Sequence, residues 1–174
     1  MRLILLRHAK AVAAEPGMAD RDRGLSPRGR NDAAKIGSYM ARHALLPEHA
    51  LVSSARRTRD TWESARGAFP RPCPADYLDK LYDARPEDIL NAVREVEGTS
   101  HSLLVIGHNP GLHEVARLLI ASGDVEVREQ LNEGLPTGGL AVIDFTGNKW
   151  DQLRGRGGRL ERFISPQLIK NETD

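Results

Sequence analysis

The chain holds one cysteine, Cys73, only five lysines, and no apolar run longer than four residues. A lone cysteine cannot close an internal disulfide, which fits a reducing compartment and a cytoplasmic location. Apolar runs such as Leu3–Leu6 and Leu103–Ile106 fall far short of the roughly 20 residues of a membrane span. Arg7 and His8 interrupt the first of them too early for a signal peptide. A charge excess is missing too: 25 basic residues against 24 acidic ones leave a net charge of +1. That balance argues against a nucleic-acid or membrane partner held by broad electrostatics.

What remains is a globular composition, 40% hydrophobic and 28% charged, of a length that makes residues 1–174 a single domain. The sequence holds no internal repeat, linker or low-complexity tract; it does not fix the oligomeric state, for which a monomer is favoured. Of the 25 basic residues 20 are arginine. Arginine binds phosphate and carboxylate with a planar fork, but genomic base composition is the better account of the bias as a whole. Each arginine is therefore judged by its position.

Strands and helices alternate along the chain. Arg2–Arg7 is a short apolar run followed by polar residues through Gly24, the pattern of a buried strand. Ser26 is a helix N-cap with Pro27 at the first helical position, and the helix runs to about His43. A second strand, Ala50–Ser53, leads into a helix from Arg56 to about Ala68 that ends at Pro70. Phe69–Pro74 reads as a loop and Tyr77–Leu81 as a short strand. A helix opens at Pro86, with Ile89, Leu90, Val93 and Val96 at helical spacing. Ser102–Gly107 is the clearest strand, and a helix follows it from Pro110 or Gly111 to about Ala121. Gly138–Phe145 and Arg159–Ile164 are later strands. The polar, glycine-bounded stretch Gly123–Gly134 is expected to form a loop, or with the residues up to 137 a small lid, and residues 170–174 a frayed tail. The alternation predicts an α/β fold, a mostly parallel sheet with helices on both faces in a three-layer αβα sandwich.

Open parallel sheets bind ligands beyond the carboxyl ends of their strands. There the first strand delivers Arg7 and His8. The second delivers Ser53 and Ser54, then Arg56 and Arg57. Ser102–Gly107 delivers His108 and Asn109 ahead of a helix N-terminus. One histidine at a strand end is more often a structural hydrogen-bonder, and one arginine a surface charge. Three strand ends carrying the same chemistry point to one site. Arginines and a helix N-terminus make an anion hole suited to a tetrahedral phosphoryl group. A histidine inside it is a nucleophile if one nitrogen is unprotonated and the other is held by an acceptor such as a backbone carbonyl. A second, protonated histidine would donate to the phosphoryl oxygens. On this ground Arg56 and Arg57 rank equally.

Competing chemistries fail on spacing. A cysteine-based phosphatase needs an arginine six positions after its cysteine, and six after Cys73 stands Asp79. The zinc-protease pattern begins at His113–Glu114 but ends on Arg117, and neither the P-loop nor the dinucleotide-binding glycine pattern is complete. A metal held by His8, His108 and Asp83 is disfavoured, because the arginines would repel a cation. Asp20 and Asp22 fall in a charged loop outside any strand end and are expected to be solvated.

The run Leu3-Ile4-Leu5-Leu6-Arg7-His8-Ala9-Lys10 resembles the signature of the histidine phosphatase superfamily, whose usual form is Arg-His-Gly. The alanine variant is similar to that of the SixA-like branch, the small bacterial phosphohistidine phosphatases. Arg23-Gly24-Leu25-Ser26 with Gly29 resembles the segment that opens the family's first helix. Leu51–Thr61 resembles its Ser-Pro-x-x-Arg-x-x-x-Thr motif, with Ser54 in place of the proline, and Val105–Gly111 its second histidine motif. The resemblance implies a phosphoglycerate mutase-like fold and a metal-independent, cofactor-free phosphatase. It implies that His8 is the nucleophile, with Arg7, Arg57 and His108 as the phosphate pocket, and it selects Arg57 over Arg56. Arg23 and Asn109 become candidate substrate contacts. Many members carry a Glu or Asp general acid after the third strand, and here Asp83 is the best match. The implied partner is a phosphohistidine protein; the alternatives are a small phosphorylated metabolite and a non-catalytic phosphate-binding module.

Overall fold

The computed structural model describes residues 1–171. Its strands are β1 (Arg2–Arg7), β2 (His49–Ser53), β3 (Ala75–Leu78), β4 (Ser102–Gly107), β5 (Ile120–Gly123), β6 (Leu140–Asp144) and β7 (Gly158–Ile164). The helices are α1 (Pro27–Arg42), α2 (Arg56–Arg66), α3 (Pro86–Arg94), α4 (Gly111–Leu119), α5 (Val125–Glu133) and α6 (Pro166–Asn171). One seven-stranded sheet runs in the order β3-β2-β4-β1-β6-β7-β5. β6 is antiparallel to both its neighbours, and every other pairing is parallel.

The three layers follow from the two-residue period of the central strands. Leu3 and Leu5 of β1, with Leu103 and Val105 of β4, pack beneath Leu90 and Val93 of α3 and Leu112 and Val115 of α4. Ile4, Leu6, Leu104 and Ile106 face the other way, onto Ile36 and Tyr39 of α1 and Trp62 of α2. Covered on both sides, β1 and β4 are unbroken apolar runs and not alternating ones. Two glycines let the layers close. A Cβ on Gly37 would stand 2.0 Å from the Ala65 carbonyl oxygen, where α1 crosses α2. One on Gly29 would stand 2.0 Å from the Lys10 carbonyl oxygen, so only glycine lets α1 start against the segment leaving β1. Ser26 caps that helix by accepting from the Gly29 N–H at 3.0 Å.

Several expected elements differ in extent. The third strand is Ala75–Leu78, and Asp79–Leu81 form a 3-10 turn instead of extending it. α2 ends at Arg66. α4 stops at Leu119, because Ile120 adopts extended backbone and enters β5 beside β7. The stretch expected as a loop over Gly123–Gly134 contains α5, capped by the Asp124 carboxylate, which accepts from the N–H groups of Glu126 and Val127 at 3.0 and 3.2 Å. Only Leu131 of that helix is buried, so no apolar stripe announces it. The tail expected over 170–174 begins inside α6, and residues 172–174 lie outside the described residues. Among the described residues no helix is long and apolar enough to cross a membrane.

Candidate active site

The carboxyl ends of β1, β2 and β4 meet at one edge of the sheet, and their side chains converge there. Register fixes the first two: Arg7 pairs with Gly107, and the His8 N–H donates to the Gly107 carbonyl at 3.2 Å. His8 and His108 follow adjacent parallel strands, and their rings lie 5.3 Å apart between centroids. Thr61 of α2 steadies this corner, accepting from the Ala9 N–H at 3.0 Å and donating to the Arg57 carbonyl at 2.7 Å. It thereby links the backbone after His8 to the helix that carries Arg57.

His8 shares a 2.8 Å hydrogen bond between Nδ1 and the carbonyl oxygen of Ala9. A carbonyl can only accept, so Nδ1 carries the proton and the lone pair lies on Nε2. Burial pushes the ring's pKa down to about 4; the Ala9 bond opposes that, and the charges of Arg57, Arg7 and Arg23 add to it. At neutral pH the imidazole is uncharged. His108 is likewise held down, to about 3, by burial first and then by His8 and Arg57. The expectation of a protonated second histidine therefore does not hold for the free protein. Its Nε2 shares a 2.7 Å hydrogen bond with the Ser53 hydroxyl, which is fully buried. A hydroxyl can donate or accept, so Ser53 can serve both the neutral ring and the imidazolium that an arriving phosphoryl dianion would favour.

Arg57 is buried, and its guanidinium donates to the Asp20 carbonyl at 2.8 Å and the Asp20 carboxylate at 3.0 Å. Arg7 donates to the carbonyl of Leu135 at 3.0 Å. Buried side-chain polar atoms without a partner among the described residues are Nε of Arg7, Nε of Arg57, Nδ1 of His108, Oδ1 of Asn109 and Oγ of Ser102. All but the last belong to this corner. Leaving a buried polar group unpaired costs about 1–3 kcal/mol; an acceptor-rich anion entering this corner could satisfy the two guanidinium donors.

Arg7, His8, Arg57 and His108 thus come together at this corner. Arg23 stands at the rim, donating to the Asp20 carboxylate and to the Val12 carbonyl. Asn109 donates to the same Leu135 carbonyl as Arg7, at 2.8 Å, and ties the segment after α5 to the end of β4. Asp83 is exposed, in left-handed backbone with φ 49°, and among the described residues no hydrogen bond or ion pair joins it to the site.

Asp20 is the correction of consequence. It is exposed, as expected of a solvated loop residue, but its carboxylate also gathers Arg57, Arg23 and the Tyr82 hydroxyl, the last at 2.6 Å. The Tyr82 bond, followed by the two arginines, holds its carboxyl well below the usual carboxylate range. The ring of Tyr82 stands edge-on to His108, with centroids 5.5 Å apart, and its hydroxyl pKa is raised by the bond to Asp20. Asp20 belongs to a 3-10 turn between β1 and α1, not to a strand end, so the strand-end argument passed over it. Its position three residues before Arg23 was the available signal.

Residues 3–85 match the family model of the histidine phosphatase superfamily, branch 1. A solved structure assigned as the phosphohistidine phosphatase SixA of Agrobacterium tumefaciens is 33% identical, with a TM-score of 0.80 over 95% of this chain and 97% of that one. A second structure with the same assignment, from Nakamurella multipartitia, is 28% identical, with a TM-score of 0.83 over 95% of each chain. An uncharacterised protein of Mycobacterium tuberculosis is 34% identical over 164 residues, 93% of this chain and all of its own length. The chain belongs to the histidine phosphatase superfamily, in its SixA-like branch, and is a phosphatase of the histidine-nucleophile class that needs no metal.

Proposed function

We propose that the protein removes the phosphoryl group from phosphohistidine on a signalling or phosphotransfer protein of the cytoplasm, with His8 as nucleophile. The observation that carries this reading is the 2.8 Å bond from His8 Nδ1 to the Ala9 carbonyl, which leaves Nε2 unprotonated among cationic groups. In the first step Nε2 attacks phosphorus, a P–N bond forms to His8, and the P–N bond to the substrate imidazole breaks. Arg7, Arg57 and His108 neutralise the charge on the phosphoryl oxygens as this happens. Water then attacks the phosphorylated His8, releasing inorganic phosphate and restoring the ring.

The leaving nitrogen takes up a proton. Asp20 has none to give at neutral pH, because its carboxyl is held ionised. Asp83, exposed and unpaired, is the remaining carboxyl candidate. An imidazole leaving group is itself basic and can be protonated from solvent, whereas an alkoxide depends more on a dedicated acid. This favours P–N over P–O substrates. Asp20 instead acts as the counter-charge that aligns Arg57 and Arg23, and Arg23 contacts the substrate at the rim.

The test is turnover of a phosphohistidine protein against a panel of phosphate monoesters, each with and without chelator. Phosphohistidine is expected to win by orders of magnitude, with chelator changing nothing; esters winning by that margin would assign the site to a metabolite instead.

A further inference from the structure

Next to the histidine pair, a cavity of about 570 Å³ opens between α5, the segment after it, and α6. Pockets of roughly 300–1,000 Å³ hold ordinary ligands. Arg7 and Asn109 line one side of it, so it continues directly from the anion-binding corner. Leu135 and Phe163, both buried, supply an apolar wall. Gln130 of α5 and Gln167 of α6 border the opening, and among the described residues neither amide has a hydrogen-bond partner. The wall is anchored: His113 Nε2 and the Leu131 carbonyl share a 2.7 Å hydrogen bond that holds α5 to α4, while Leu135 accepts from both Arg7 and Asn109.

We propose that this cavity seats the polypeptide flanking the phosphohistidine of a protein substrate, an inference that rests on the function proposed above. A primary amide offers two donors and an acceptor, the complement of a peptide group. Charge points the same way. Glu133 lines the cavity as well as Arg7, so the lining has no surplus of positive charge to hold a second phosphate or a carboxylate. It suits neutral main chain with one apolar side chain against Leu135 and Phe163. Because Arg7 borders both spaces, a residue next to the phosphohistidine enters the cavity as its phosphoryl group reaches His8. Free phosphohistidine, or a small ester, fills the corner and leaves the cavity unused.

The experiment compares two substrates with the same P–N bond: free phosphohistidine, and a histidine-containing phosphotransfer domain phosphorylated with phosphoramidate. The wild type is set beside Q130A/Q167A and beside Q167W, which fills the cavity, with thermal melting confirming that both variants fold. Both are expected to raise KM for the phosphorylated domain about tenfold, the scale of one or two lost hydrogen bonds, and to leave turnover of free phosphohistidine within twofold. If the wild type does not act on the phosphorylated domain, the proposed function and this inference fall together. If it does act and the variants match it, or lose activity equally on both substrates, the cavity assignment alone is overturned.

Discussion

The corner formed by β1, β2 and β4 and the flank formed by α5 are built to different standards. In the corner Arg7, His8, Arg57 and His108 rise from strand ends or from the helix next to one, over a core in which Leu5, Leu6, Val105 and Ile106 are fully buried. Thr61, Ser53 and the Ala9 carbonyl fix its donors from behind. The flank holds a nine-residue helix with one buried residue and a single capping carboxylate, and it meets the corner through Leu135. Chemistry that needs sub-ångström placement sits where packing over-determines the backbone. Choice of substrate, which tolerates looser contacts, falls to the flank.

Mutations can break that contrast, beginning with the corner. His8→Ala is expected to abolish turnover by about four orders of magnitude or more, as loss of a nucleophile does, measured as steady-state kcat on phosphoramidate. Arg57→Ala comes next, at about 100- to 1,000-fold in kcat, because one charge-stabilising donor is removed. Ser53→Ala leaves His108 Nε2 without its partner and is expected to cost about tenfold. Loss of the same size from helix α5 substitutions on a small substrate would erase the distinction between the two regions.

Two smaller effects depend on pH. His8 and His108 have folded-state pKa values of about 4 and about 3, below their unfolded value of about 6.5. As pH falls from about 6.5 the unfolded chain takes up protons that the native rings refuse, so stability drops until the folded pKa values are passed. Melting temperature followed from pH 7 to pH 4 should therefore fall less steeply in His108→Gln than in the wild type. Asp20 is also depressed, by Tyr82, Arg23 and Arg57. Its contribution is in place above about pH 4 and is lost as pH falls through its folded value. The melting difference between the wild type and Asp20→Asn, expected to be small for a half-exposed carboxylate, should disappear under acid.

Legibility in the sequence followed the same divide. β1 and β4 are short apolar runs because both faces are covered, and their ends were visible to the residue. Arg7, His8 and His108 could be placed by that rule alone; choosing Arg57 over Arg56 required the family motif, since both begin α2. α5 left no apolar period to read, and Ile120 left the helical pattern of α4 because the edge beside β7 was there to pair with it. Asp20 was hidden for another reason. Its partners Arg57 and Tyr82 lie 37 and 62 residues away, and only the folded chain brings them together.

The central claim is that His8 is phosphorylated during turnover. Enzyme mixed with radiolabelled phosphohistidine protein and quenched within one turnover should carry label that is acid-labile and base-stable, maps to His8, and is missing from His8→Ala. Label that persists in that variant, or that survives acid, would contradict it.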